Sequence, residues 1–182
     1  MSLTAEDLER FISKIPNYPM ELINGEIIIM SPSGLESEEV ALEIARLLSN
    51  WVRLRKLGRV LGSSAGFILP NETEDVRSPD VSFIRADRLK RTTPDYARVV
   101  PDLIFEVKSK TDSIEKLRQK IQVFLELGTQ VGVLVDPRTH TMEVYRNGQE
   151  TIFLRDGDIL TVPDVLPGWE LTISEIWAPE FD

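Results

Sequence analysis

The chain has 182 residues, a net charge of −9, 42% hydrophobic residues and no cysteine. That length predicts one domain over residues 1–182 with a buried core. The missing cysteine excludes disulfides, thiolate metal sites and a cysteine nucleophile, and the acidity argues against a protein that coats nucleic acid nonspecifically.

The start, Met1 to Asp7, is too acidic and polar for a signal peptide, and no apolar run approaches a membrane span. The missing cysteine fits a cytoplasmic chain. A short helix is predicted over 4–14, then a hairpin of 21–23 and 26–30 across Asn24-Gly25. A long amphipathic helix follows over 36–57, with Val40, Ile44, Leu47, Leu48, Trp51 and Leu54 as its apolar stripe and Gly58 as its stop. Short strands are expected at 59–61 and 66–69, then a polar loop from Asn71 to Ser78. Residues 79–84 and 103–108 read as strands, joined by a basic connection that Pro94 and Pro101 keep from being one helix. A helix capped by Asp112 or Ser113 runs to Gly128, and the apolar run Val131 to Val135 reads as a buried strand. Strand, helix and buried strand in that order predict a right-handed βαβ unit, hence an α/β fold with a mixed sheet flanked by helices. A second hairpin spans Asn147-Gly148, and a last short helix is expected near 173–177.

Side chains alternate along a strand, so Glu106 and Lys108 share one face while Leu103, Phe105 and Val107 take the other. If the two strands pair antiparallel, Asp80 comes beside Glu106. Two carboxylates and an ammonium in one patch can hold a hard divalent cation and act on a phosphodiester. Asp102 has the parity of Glu106 but lies four residues away, roughly 13 Å of extended chain, too far to share a metal. Lys120 falls inside the apolar sector of its helix, so it either meets a carboxylate or phosphate or snorkels at the stripe's edge; the pattern slightly favours snorkelling. Glu36, Glu43 and Asn50 recur every seven residues beside the stripe of the long helix, either to supply a third acid or to pair with Arg53 or solvent. His140, the only histidine, reads as a solvated turn residue, and Trp51, Trp169 and Trp177 as packing residues. Basic residues concentrate in 51–59, 85–98 and 108–120, as a rim on an acidic body or as plain solvated faces.

These residues resemble the PD-(D/E)XK nuclease superfamily. More closely, the chain is similar to a bacterial family of restriction-endonuclease-like proteins of unknown function. The likeness runs through ELINGEIIIMSP, ESEEVALEIARLLSNW, PDVSFI, PDLIFEVKSKTDSIEKLRQK, GVLVDP, MEVYR and VLPGWEL. It implies a restriction-endonuclease-like mixed sheet and a Mg²⁺- or Mn²⁺-dependent nuclease. Asp80 and Glu106 would hold the metal, with the Val107 carbonyl as a further ligand. Lys108 would orient the attacking water. Glu43 would be the acid of the first helix, and Lys120 a lysine that recurs in the family on the helix after the motif strand. Nucleic acid, DNA before RNA, is the implied substrate, and a homodimer the implied assembly. The competing expectations are a non-catalytic module that binds nucleic acid or protein on the same fold, and a structural homodimer.

Overall fold

The computed structural model describes residues 2–16 and 18–181; Met1, Asn17 and Asp182 lie outside the described residues. Helix α1 (Ala5–Lys14) starts at a capping box, in which the Thr4 side chain accepts from the Asp7 amide and Asp7 reaches back to the Thr4 amide. The hairpin β1 (Met20–Ile23) and β2 (Glu26–Ile29) turns at Asn24 and Gly25, both at positive φ as a tight two-residue hairpin requires. It joins β4 (Phe67–Ile68) and β5 (Val76–Arg77) in a small sheet of order β2-β1-β5-β4. Strand β5 lies in the stretch expected to be loop. It is only two residues long, and one of its partners, Leu22 of β1, is remote in sequence.

The main sheet is mixed. It contains β3 (Gly58–Gly62), β6 (Val81–Arg85), β7 (Leu103–Val107), β8 (Val131–Asp136), β9 (Thr141–Tyr145) and β10 (Ile152–Arg155), in the order β10-β9-β8-β7-β6-β3. Only β7 and β8 pair parallel, bridged by α3 (Ile114–Glu126) as the βαβ reading expects. Helix α2 (Leu35–Arg55) covers one face, where Val40, Ile44, Leu48 and Val52 pack with Phe83, Leu103, Phe105 and Val133. On the other face Ile121, Phe124 and Leu125 of α3 pack with Ile84, Ile104 and Leu134. The C-terminal part adds the pair β11 (Ile159–Thr161) and β12 (Glu170–Thr172), not foreseen as strands. A single 3₁₀ turn at Ile173–Glu175 replaces the expected last helix. Among the described residues no helix is long and apolar enough to cross a membrane.

Two details of α2 differ from its sequence pattern. Leu54 is 82% exposed rather than part of the stripe, because the core ends at Val52. The helix stops at Lys56, in the left-handed region at φ 56°, rather than at Gly58. Gly58 instead opens β3, where a Cβ would lie 2.1 Å from the Ile84 carbonyl oxygen. That neighbour is main chain and cannot rotate away. Gly58→Ala is therefore expected to cost about 2–3 kcal/mol, in the range of overpacking. Thermal melting would then fall by roughly 4–12 °C; an unchanged melting temperature would contradict the close approach.

Candidate active site

The register of β6 and β7 sets Val81 opposite Phe105. One step outward, Asp80 comes beside Glu106, and the Val107 amide donates to Asp80 Oδ2 at 2.7 Å. Glu106 has the parity of Ile104 and faces α3, while Phe105 and Val107 face the α2 side. Asp80 also lines an open cavity of about 270 Å³ with Glu38, Ala41, Leu42 and Ala45 of α2 and the loop from Gly62 to Ala65.

Helix α3 is held at both its start and its middle. Ser113 caps the first turn, and Arg118 makes a two-pronged contact with Glu143 of β9 at 2.6 and 2.9 Å. Tyr145 donates to the same carboxylate. Two residues on, Lys120 is buried at 9% exposure. Its ammonium lies 2.9 Å from Glu106 Oε1 and 3.4 Å from Glu21 Oε1, and it donates to the Ser78 carbonyl at 2.8 Å. This is the paired arrangement, not the snorkelling one that the helix pattern slightly favoured. Glu106 Oε1 is buried against this ammonium as an ion pair, with no other donor among the described residues.

Glu21, on β1, completes the cluster. It is 4% exposed, accepts from Arg77 Nε at 3.1 Å and from the Ser78 amide at 2.7 Å, and so ties the small sheet to the segment leading into Asp80. Three carboxylates thus face two cations, Lys120 and Arg77. Burial pushes the Glu106 carboxyl up to about 8; the Lys120 ammonium opposes this, and the Asp80 charge adds to it. Burial also raises Asp80, against the pull of Lys120 and the Val107 amide. For Lys120, burial alone would lower the pKa, but Glu106, Glu21 and Asp80 together hold it above the ordinary lysine value.

The structure does not bring every expected residue to this point. Lys108 follows the end of β7; its ammonium donates to the Ser109 carbonyl at 3.3 Å and forms no ion pair with either acid. The cation against the acids is Lys120. Glu43 pairs with Arg46, at 2.5 and 2.8 Å, rather than with Arg53 or the cluster, because the two side chains lie one turn apart on α2. The α2 acid across the cavity from Asp80 is Glu38, whose charge reaches Asp80. Among the described residues no three Asp, Glu or His side chains converge closely enough to hold a metal by themselves. Asp102 is fully buried and structural, accepting from Arg88, the Arg85 amide and Gln130. His140 is an exposed turn residue at φ 53°, stacked on Trp177 at 4.6 Å.

Comparison with known proteins bears on the chain as a whole. No curated protein matches the chain significantly. A crystal structure of "a putative nuclease belonging to DUF820 from Anabaena variabilis ATCC 29413" superposes with a TM-score of 0.75 at 26% identity, over 86% of this chain and 88% of that one. A cryo-EM structure of a "DrdV-DNA complex" matches loosely, with a TM-score of 0.39 at 14% identity over 60% of this chain and 9% of that one. Residues 5–174 match the model of the Uma2 family, described as "Putative restriction endonuclease", and the chain belongs to that family.

Proposed function

We propose that this chain is a divalent-cation-dependent nuclease that hydrolyses phosphodiester bonds, with Asp80 and Glu106 as the acids that hold the cation. One observation carries the reading. Adjacent antiparallel strands bring two carboxylates together, Asp80 lining an open cavity and Glu106 buried behind it with a buried ammonium 2.9 Å away. The donor set fits a hard cation. Asp80 Oδ1 has no hydrogen-bond donor among the described residues, and Glu106 Oε1 has none besides the Lys120 ammonium. The Val107 carbonyl is the third candidate ligand. With so few protein ligands, water and substrate oxygens would complete the shell, as is usual for Mg²⁺.

Bound Mg²⁺ or Mn²⁺ would supply Lewis acidity and a water of lowered pKa. The remaining work falls to side chains. The Val107 amide fixes one oxygen of Asp80 and leaves the other free. Lys120, held by the Ser78 carbonyl, offsets the buried carboxylates and offers positive charge to a phosphate in the cavity. Lys108, whose ammonium now rests on the Ser109 carbonyl, would turn toward the attacking water or a phosphate oxygen. Glu38 takes the position on α2 that the family pattern led us to expect of Glu43. The proposal extends to DNA before RNA as substrate and a pair of copies, both resting on the family likeness, and to a cytoplasmic setting, which the missing cysteine supports.

Calorimetric titration of Mn²⁺ and nicking of plasmid DNA test the reading together. Wild type is expected to bind Mn²⁺ saturably and to nick, and Asp80→Asn to lose both with its fold intact. Equal Mn²⁺ binding in the two proteins would remove Asp80 from the site. The ion pair of Lys120 with Glu106 favours a second reading, a non-cleaving nucleic-acid-binding module, since it supplies the acid with a cation from within the chain. DNA binding without Mn²⁺ binding would select it.

A further inference from the structure

Two basic segments that the site does not use meet at one end of the β3–β6 pair. The register sets Gly58 opposite Arg85 and Gly62 opposite Val81. The Gly62 end adjoins Asp80 at the cavity. The other end gathers the residues leaving α2 and the turn after β6, tied by the Ala86 amide donating to the Leu57 carbonyl at 2.9 Å. Arg59 braces that turn, donating to the Leu89 carbonyl at 3.0 Å and the Lys90 carbonyl at 2.7 Å. Carbonyls, not a carboxylate, receive this guanidinium, so its charge stays uncompensated. Arg85 and Arg88 are tied to Asp87 and Asp102. Arg53, Lys56, Lys90 and Arg91 are exposed and form no ion pair among the described residues. On a chain of net charge −9, this end is a local cationic surface. Five residues of β6 separate it from the Asp80 end, roughly 17 Å of strand. That length is about five base steps along a duplex axis.

We propose that this basic end of β3 and β6 grips the phosphodiester backbone of a nucleic acid, about five nucleotides from the phosphate presented to Asp80. The direction of that path rests on the nuclease reading; the grip does not. Lys56 and Lys90 come from different segments, and Arg59 fixes the turn that carries Lys90 and Arg91, so the surface is held by the fold rather than by a flexible tail. Cations that displace the condensed counterions of a phosphate chain bind it with a steep salt dependence.

The test is fluorescence anisotropy with a labelled duplex DNA and with one of its single strands, in EDTA so that nothing is cleaved. Wild type is expected to bind at least one probe and to weaken steeply as salt rises. The variant Lys56→Gln/Lys90→Gln/Arg91→Gln is expected to bind at least about tenfold more weakly at low salt, with a log–log salt slope smaller by about 2–3. Lys14→Gln, on α1, is expected to match wild type. The comparison of the two probes shows whether the surface takes duplex or single strand. No binding by wild type, a triple variant with wild-type affinity and slope, or an equal loss in Lys14→Gln would each overturn the proposal. A wild type that binds in this way but neither takes up Mn²⁺ nor cleaves would remove the nuclease reading and leave the surface standing.

Discussion

Glu106→Gln is expected to abolish saturable Mn²⁺ binding and, at the same time, to flatten the dependence of stability on pH. In the folded protein burial pushes the Glu106 carboxyl up to about 8, against 4.5 for an ordinary glutamate. The folded state therefore keeps a proton that the unfolded chain has released between those values. Glu106 contributes its full stabilisation below the unfolded value, and that contribution is lost as pH climbs through about 8, at no more than about 1.4 kcal/mol per pH unit. Glutamine cannot ionise. It also leaves Glu21 and Asp80 facing Lys120 and Arg77, two charges of each sign. Urea unfolding from pH 5.5 to 8.5 should show stability falling with pH in wild type and much less in the variant. Added Mn²⁺ should stabilise wild type most at the alkaline end, by mass action on the folded state, and leave the variant unmoved. A variant with the wild-type slope would mean that Glu106 is not the titrating group.

That cluster was only half legible in the sequence. Asp80 and Glu106 were found because strand alternation and one antiparallel pairing suffice to place them, and both rules act over short range. Glu21 was not. It sits in a short hairpin strand beside Asn24-Gly25, where a carboxylate is most simply solvated. Its burial comes from the Ser78 amide, 57 residues away. Lys120 stood out as a charge in an apolar sector, but its partner, the Ser78 carbonyl, lies 42 residues away and no local pattern points to it. Glu43 is ambiguous for the opposite reason. A seven-residue recurrence on a helix edge also follows from i,i+3 pairing on a solvated face, and Arg46 supplied the nearer partner. The fold was read more fully than the site: the hairpins, α2, the βαβ unit and the buried strand follow from periodicity and turn chemistry. Strands β5, β11 and β12 are two or three residues long, and pairing, not composition, makes them strands.

Lys120→Met is expected to destabilise the protein more than any other single change in the cluster. Methionine fills the volume but leaves Glu106, Glu21 and Asp80 facing Arg77 alone. Breaking a buried pair by removing one partner costs about 3–5 kcal/mol, because the surviving charge keeps its burial penalty. The loss should depend on pH. Near pH 5 Glu106 is already protonated and needs no counterion, so the cost shrinks; near pH 8 it is largest. It should also depend on Glu106. In Lys120→Met/Glu106→Gln one excess carboxylate has been removed with the ammonium, and the double variant should be more stable than the sum of its singles by about 1–3 kcal/mol. The cycle is measured by urea unfolding at pH 8, without metal and without substrate. Additive singles would mean that the 2.9 Å contact carries no coupling, and Lys120 would then be held by Glu21 and the Ser78 carbonyl alone.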